Sequence, residues 1–257
     1  MSSIKILGAY STKEYNHGTS SYLIEPSIAL DAGNLMRPLG RNAAKIDHIV
    51  LTHCHMEHLA DIPFLIDAFF AKRNTPLNIY GLEHTLANLK RHIFNGEVWP
   101  DFTKIALLNS HAPSIIMHTI KEYKPFCIKN VSFKPIPALH AVPTVGFVIT
   151  KRKTAIYITS DTCYSQTVWN EINENGSIRA VIIECTYPSA MSEAAKIHGH
   201  LTSSMVIDGI SKCHRKDIEF FVSHINPKME RTIIQELLNS PLTANVTVLK
   251  DGDEINF

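Results

Sequence analysis

Residues 51–63 read LTHCHMEHLADIP and follow the apolar run HIV at 48–50, so three histidines and a glutamate fall within six positions at the end of a predicted strand. Alternate residues of an extended chain share a face, so His53 and His55 project to one side and Cys54 to the other. A helix beginning near Met56 places Glu57 and His58 on its first turn, facing back towards the strand end. There the positive helix terminus favours an anionic side chain. Imidazole and carboxylate donors gathered in this way suit zinc, and equally iron or manganese. The stretch therefore predicts a strand-to-helix turn that collects metal-binding groups.

Other strands end in the same manner. "IPAL" runs into His140, "IYITS" into Asp161, "FFVS" into His224, and "VIIE" closes on Glu184. Loops at strand ends converge on one edge of a sheet, where donors distant in sequence meet. "SSYLIEPSIALDAG" predicts a hairpin with a Pro-Ser turn that closes on Asp31. "LNIYG" reads as a strand, and "HLADIPFLIDAFFAKR" and "LEHTLANLKRHIF" as helices. Residues 94 to 125 read as an insertion with short strands. Further strands are expected at "VSFKPIPAL", "GFVITK", "TAIYITS", "AVIIEC", "IEFFVSH" and "VTVLKDGDEI", with helices at "SQTVWNEINEN", "LTSSMVIDGISKC" and "KMERTIIQELLNS". Strands in both halves with helices between them predict an α/β domain over 1–257, built as two sheets covered by helices.

A net charge of +1 spread over 257 residues gives no polybasic surface, so nucleic acid is not an expected partner. Five cysteines without a CxxC pair make a zinc ribbon and a disulfide framework equally unexpected. The first residues, MSSIKILGAYSTKEYNHG, show no secretory signal, and no apolar run approaches the roughly 20 residues of a membrane span. A cytoplasmic protein without a membrane partner is expected, and a homodimer is compatible with the sequence.

The pattern His53-Cys-His55-Met-Glu57-His58 resembles the HxHxDH signature of the metallo-β-lactamase superfamily, with glutamate in the aspartate position. Asp31 in "LDAG", His140, Asp161 in "TSDT" and His224 resemble that superfamily's remaining motifs, in order. The resemblance implies a four-layer αββα sandwich of two mixed sheets with a dinuclear metal site at one edge. Within it, "SSYLIEPSIALDAG", "HIFNGEVWPDFTKI" and "IIECTYPS…HGHLTS" look most like the class II cyclic-nucleotide phosphodiesterases. The Glu184 and His200 pattern also resembles the catalytic dyad of the transfer-RNA 3′-end endonucleases.

The resemblance implies two divalent cations, zinc first, with manganese or iron as alternatives. One would be held by His53, His55, His140 and Asp161, the other by Glu57, His58, Asp161 and His224. Asp31 would orient a ligand histidine without touching metal. The implied reaction is hydrolysis of a small-molecule cyclic nucleotide, cyclic AMP or cyclic GMP, to its 5′-monophosphate, with Glu57, Glu184 and His200 in catalytic roles. Trp99, Phe102 and Tyr187 are candidates to bind the base, beside the ordinary reading of aromatic packing.

Glu57 departs from the family by one methylene. Three outcomes stay open there: backbone adjustment that restores the ligand, a weaker second site, or a metal-binding protein without turnover. An endoribonuclease of the transfer-RNA 3′-end type, or another phosphodiesterase of the same fold, is the other alternative. No basic, glycine-rich arm that would grip RNA is visible.

Overall fold

A computed structural model describes residues 3–241 and 246–257. Seven strands form the first sheet: β1 (Ser3–Gly8), β2 (Ser21–Glu25), β3 (Ile28–Leu30), β4 (His48–Val50), β5 (Leu77–Gly81), β6 (Ile115–Thr119) and, at the far end of the chain, β14 (Glu254–Asn256). Their order is β14-β1-β2-β3-β4-β5-β6. The second sheet runs β13-β12-β11-β10-β9-β8-β7. Its strands are β7 (Phe126–Ile128), β8 (Val131–Ala138), β9 (Thr144–Lys151), β10 (Thr154–Ile158), β11 (Ile178–Glu184), β12 (Glu219–Ser223) and β13 (Val246–Val248). Both sheets are mixed, antiparallel on one side and parallel on the other.

The alternation of side chains along each strand divides the core in two. On β4, Val50 joins a large cluster with Ile4, Ile6, Phe133, Phe147, Ile156 and Ile182 between the sheets. Its neighbour Ile49 joins a smaller cluster with Leu59, Ile62, Leu65, Ile66 and Leu86, against helices on the outside of the first sheet. Those helices are α1 (Met36–Leu39), α2 (Met56–Leu59), α3 (Ile62–Phe69) and α4 (Glu83–His92). The second sheet is covered by α5 (Gln166–Glu174), α7 (Ser203–Ser211) and α8 (Glu230–Leu238), with α6 (Ser192–His198) in the connection ahead of α7. Trp169 of α5 lies so close to α7 that a Cβ at Gly209 would sit 1.9 Å from its ring. The four-layer αββα sandwich expected from the sequence is the observed architecture.

Two elements differ from expectation. The helix predicted over "HLADIPFLIDAFFAKR" is interrupted at 60–61. Asp61 there is buried, and its carboxylate accepts from the backbone N–H groups of Leu35 at 2.6 Å and Met36 at 2.8 Å. Within 94–125 the short strand is Ile115–Thr119, β6, paired in parallel with β5 at the sheet edge. "VTVLKDGDEI" is two strands, one in each sheet. The chain turns between them at Gly252 (φ +98°), and Asp251 accepts from the N–H groups of Ala9 and Gly18.

Candidate metal centre

Strands of both sheets end at one edge, and their donors meet there. β4 leads to His53, β8 to His140, β10 to Asp161 and β12 to His224, while α2 carries Glu57 and His58. Donor atoms of His53, His55, His140 and Asp161 all lie within 4.8 Å of one another, as do those of Glu57, His58, Asp161 and His224. Asp161 is common to both groups. The second group includes the carboxylate of Glu57, so the longer side chain still reaches the cluster.

Three of the strand ends are sharpened by left-handed backbone at residues that are not glycine: Asp31 (φ 56°), Ser160 (φ 59°) and His224 (φ 58°). Such conformations cost on the order of 1–3 kcal/mol each and persist only where the surrounding structure enforces them. Here they end β3, β10 and β12 abruptly at the cluster.

The donor set fits a divalent cation on one observation in particular. His53 Nε2, His58 Nε2, His224 Nε2 and Asp161 Oδ2 are buried and have no hydrogen-bond partner among the described residues. Orphaned buried polar atoms are rare in proteins. His58 Nε2 and His53 Nε2 lie 3.4 Å and 3.7 Å from the orphaned Asp161 Oδ2, and His224 Nε2 lies 3.3 Å from Oδ1 of the same carboxylate, a convergence of imidazole and carboxylate donors that suits a divalent cation. The side chains of His55 and Glu57 are half-buried and leave that side of the cluster accessible, whereas the His140 ring is buried.

The ring nitrogens facing away from the cluster are bonded, which fixes how the rings present themselves. His58 Nδ1 is 2.8 Å from Asp31 Oδ2. His53 Nδ1 is 3.1 Å from Thr52 Oγ1, and that hydroxyl also donates to Asp31. His140 Nδ1 donates to the carbonyl of Gly199 at 2.8 Å, and His224 Nδ1 lies 3.0 Å from Thr186 Oγ1. Thr52, Thr186 and Gly199 were not anticipated from the sequence, although each is within two residues of a residue that was.

Protein groups alone polarise this edge strongly. Burial lowers the pKa of His53 well below the imidazole value and that of His224 to about 3, despite Asp161 pulling the other way. For His58 burial works against the charge, but Asp161 and Asp31 overcome it and hold the pKa well above the usual value. Burial likewise opposes the charge on Asp161, yet His224, His58 and His53 keep its carboxyl well below the carboxylate range.

Beside the cluster, His200 Nδ1 lies 2.8 Å from Glu184 Oε1, and its ring lies 5.0 Å from that of His140 and 5.4 Å from that of His224. Glu184 is fixed by the backbone N–H groups of Thr162, Thr186 and Leu201. Burial disfavours a charged His200, but the adjacent Glu184, with Asp161 and Glu57, raises its pKa to about 9.

The expected aromatic wall is only partly assembled. Tyr187 stands 6.0 Å from the His200 ring, its hydroxyl 2.8 Å from His198 Nδ1. Phe102 is a correction: it is 4% exposed in the smaller core, against Phe70 and Phe94, because folding buries its ring among apolar neighbours of the first sheet. Trp99 packs half-buried on the same core, edge-on to Phe64 at 5.2 Å. A cleft of about 420 Å³ opens beside Glu57, lined by Ser11, Thr12, Lys13, Thr19 and Met56. A larger one, about 620 Å³, beside Lys5, Glu25 and Lys151, contains none of the clustered donors. All five cysteines are free, and among the described residues no helix is long and apolar enough to cross a membrane.

Residues 21–219 match the family model described as "Beta-lactamase superfamily domain". The chain is 22% identical over 206 residues to 3′,5′-cyclic-nucleotide phosphodiesterase 1 of Saccharomyces cerevisiae, covering 70% of this chain and 54% of that protein. It is 29% identical over 111 residues to a ribonuclease Z of Methanococcus maripaludis, covering 42% and 33% of the two chains. The chain spans between 16% and 54% of the length of the first curated relatives. Among solved structures, unliganded yeast PDE1 superposes with a TM-score of 0.82 at 17% identity, over 99% of both chains.

Proposed function

The chain belongs to the beta-lactamase superfamily, whose members include metal-dependent hydrolases, and on that premise we propose that it hydrolyses 3′,5′-cyclic nucleotides to 5′-monophosphates. The observation that carries the reading is the Glu184–His200 pair set against the rings of His140 and His224, a proton donor beside a donor cluster. Similarity to a protein named as a cyclic-nucleotide phosphodiesterase supports the substrate class.

In this reading His53, His55, His140 and Asp161 hold one divalent cation, and Glu57, His58, Asp161 and His224 the other. Zinc is the first candidate, with manganese or iron as alternatives. When bound, the cations supply Lewis-acid activation of water and of the phosphate oxygens. Water adds to phosphorus and the bond to the 3′-oxygen breaks. The leaving oxygen needs a proton. His200 spends Nδ1–H on Glu184, which leaves Nε2–H as its remaining donor and the group that protonates the 3′-oxygen. Tyr187, beside His200, is the candidate wall for the base, and the cleft beside Glu57 offers room for the rest of the nucleoside.

The test is turnover of cyclic AMP, cyclic GMP and an aryl phosphodiester by protein whose metal content has been measured. Hydrolysis of a cyclic nucleotide is expected at about two ions per chain. Full metal loading without hydrolysis of any phosphodiester would overturn the reading in favour of a metal-binding protein without turnover. The similarity to ribonuclease Z keeps a second reading, cleavage of RNA ends. Processing of a precursor transfer RNA with no turnover of cyclic nucleotides would establish that one instead.

A further inference from the structure

We propose that Thr186 is a positioning residue whose hydroxyl joins the ligand His224 to the Glu184–His200 pair. One carboxylate then orients both a metal ligand and the proton donor. The inference rests on the reading of the site as a metal-dependent phosphodiesterase.

It follows from counting protons. Thr186 is buried, and its Oγ1 lies 3.0 Å from His224 Nδ1, 3.1 Å from Glu184 Oε2, 3.1 Å from the His224 carbonyl and 3.2 Å from His200 Nδ1. A hydroxyl has one proton to donate and lone pairs to accept with. His224 turns its orphaned Nε2 towards Asp161. A histidine that gives this nitrogen to a metal carries its proton on Nδ1. His224 Nδ1–H therefore donates to Thr186, and the hydroxyl passes its own proton forward.

Of its two acceptors, the Glu184 carboxylate makes the stronger, charge-assisted bond. The other oxygen of Glu184 accepts from His200 Nδ1–H at 2.8 Å. Both branches thus end on one carboxylate, itself fixed by three backbone amides. Gly199 adds a backbone link on the other side of the cluster. Its carbonyl accepts from His140 while the next residue is His200, and a Cβ there would meet His140 Nδ1 at 2.7 Å.

Thr186→Val keeps the shape of the side chain and removes the hydroxyl, leaving His224 Nδ1–H without its acceptor. Thr186→Ser keeps the hydroxyl. Zinc affinity, measured by competition with a chromophoric chelator, reads the first branch without turnover. Thr186→Val should weaken one of two zinc ions by roughly 10–100-fold, the usual effect of losing a partner to a ligand histidine. Thr186→Ser should restore it. On cyclic AMP, Thr186→Val should also lose more rate than on an aryl phosphodiester.

Unchanged zinc affinity in Thr186→Val, or an equal loss in Thr186→Ser, would overturn the proposal. Circular dichroism separates either result from misfolding. Nitrogen-15 NMR of the histidines in zinc-loaded wild type provides a check that needs no variant: His224 should be protonated at Nδ1, and a proton on Nε2 would overturn the proposal. A wild type that binds zinc but cleaves no phosphodiester would refute the functional reading and leave the affinity comparison intact.

Discussion

The two sheets have the same pattern of pairing and deliver their chemistry differently. The first contributes His53 and His55 from the turn after β4, and Glu57 and His58 from the helix α2 that follows it. The second contributes His140, Asp161, Glu184, His200 and His224 from several separate strand ends and loops. The first set is placed by local stereochemistry, since strand alternation followed by one helical turn suffices to gather it. The second is placed only when β8, β10, β11 and β12 lie in register. A donor from the second set should therefore answer for more of the site than a donor from the first.

Asp161 is the strongest test. Asp161→Ala removes the group shared by both donor sets and should lower affinity for both metals by more than about 100-fold, because outer partners alone are worth roughly 10–100-fold. His55→Ala should lower the occupancy of one metal and reduce activity less. Elemental analysis and turnover on the two variants decide, and equal losses would break the comparison.

His200→Ala should keep both metals and lose on the order of 10²–10⁴ in kcat on a cyclic nucleotide, the usual contribution of a positioned general acid. The loss should shrink on an aryl phosphodiester, whose leaving group departs unprotonated. Glu184→Gln should show a milder version of the same contrast. An equal loss on both substrates would remove proton donation from the role of His200.

Phe102 tests the region that the sequence analysis placed at the substrate. Phe102→Ala should cost roughly 3–5 kcal/mol of stability, as for other buried phenylalanines, with kcat and KM of the folded fraction unchanged. Denaturant melts and kinetics on one preparation measure both. A raised KM with unchanged stability would return Phe102 to the substrate wall.

The smallest effect is expected at position 57. Glu57→Asp should preserve or raise activity at saturating metal, because it restores the shorter carboxylate of the HxHxDH pattern. A large loss would show that this cluster is built around the longer side chain.

These contrasts also explain how much could be read from the chain. The sandwich and the clustered donors were legible because apolar strands ending in histidine or carboxylate carry both messages at once. Thr186 and Gly199 were not legible. Their roles are contacts with His224 and His140, 38 and 59 residues away, and nothing local distinguishes them from ordinary turn residues. The division of "VTVLKDGDEI" was hidden for a similar reason: both halves have strand character, and the turn is held by Asp251 on Ala9 and Gly18. Phe102 looked available because an aromatic in an irregular segment has no periodicity to show which way it faces.

The left-handed residues at Asp31, Ser160 and His224 have a consequence for how such a molecule ages and fails. Left-handed backbone at such residues persists only where the surrounding structure enforces it. The packing around the strand ends therefore helps to set the geometry of the donor edge. A substitution deep in the core, far from any donor, would relax the strand ends before it unfolds the chain. The donor cluster would then lose its geometry ahead of any change in secondary structure.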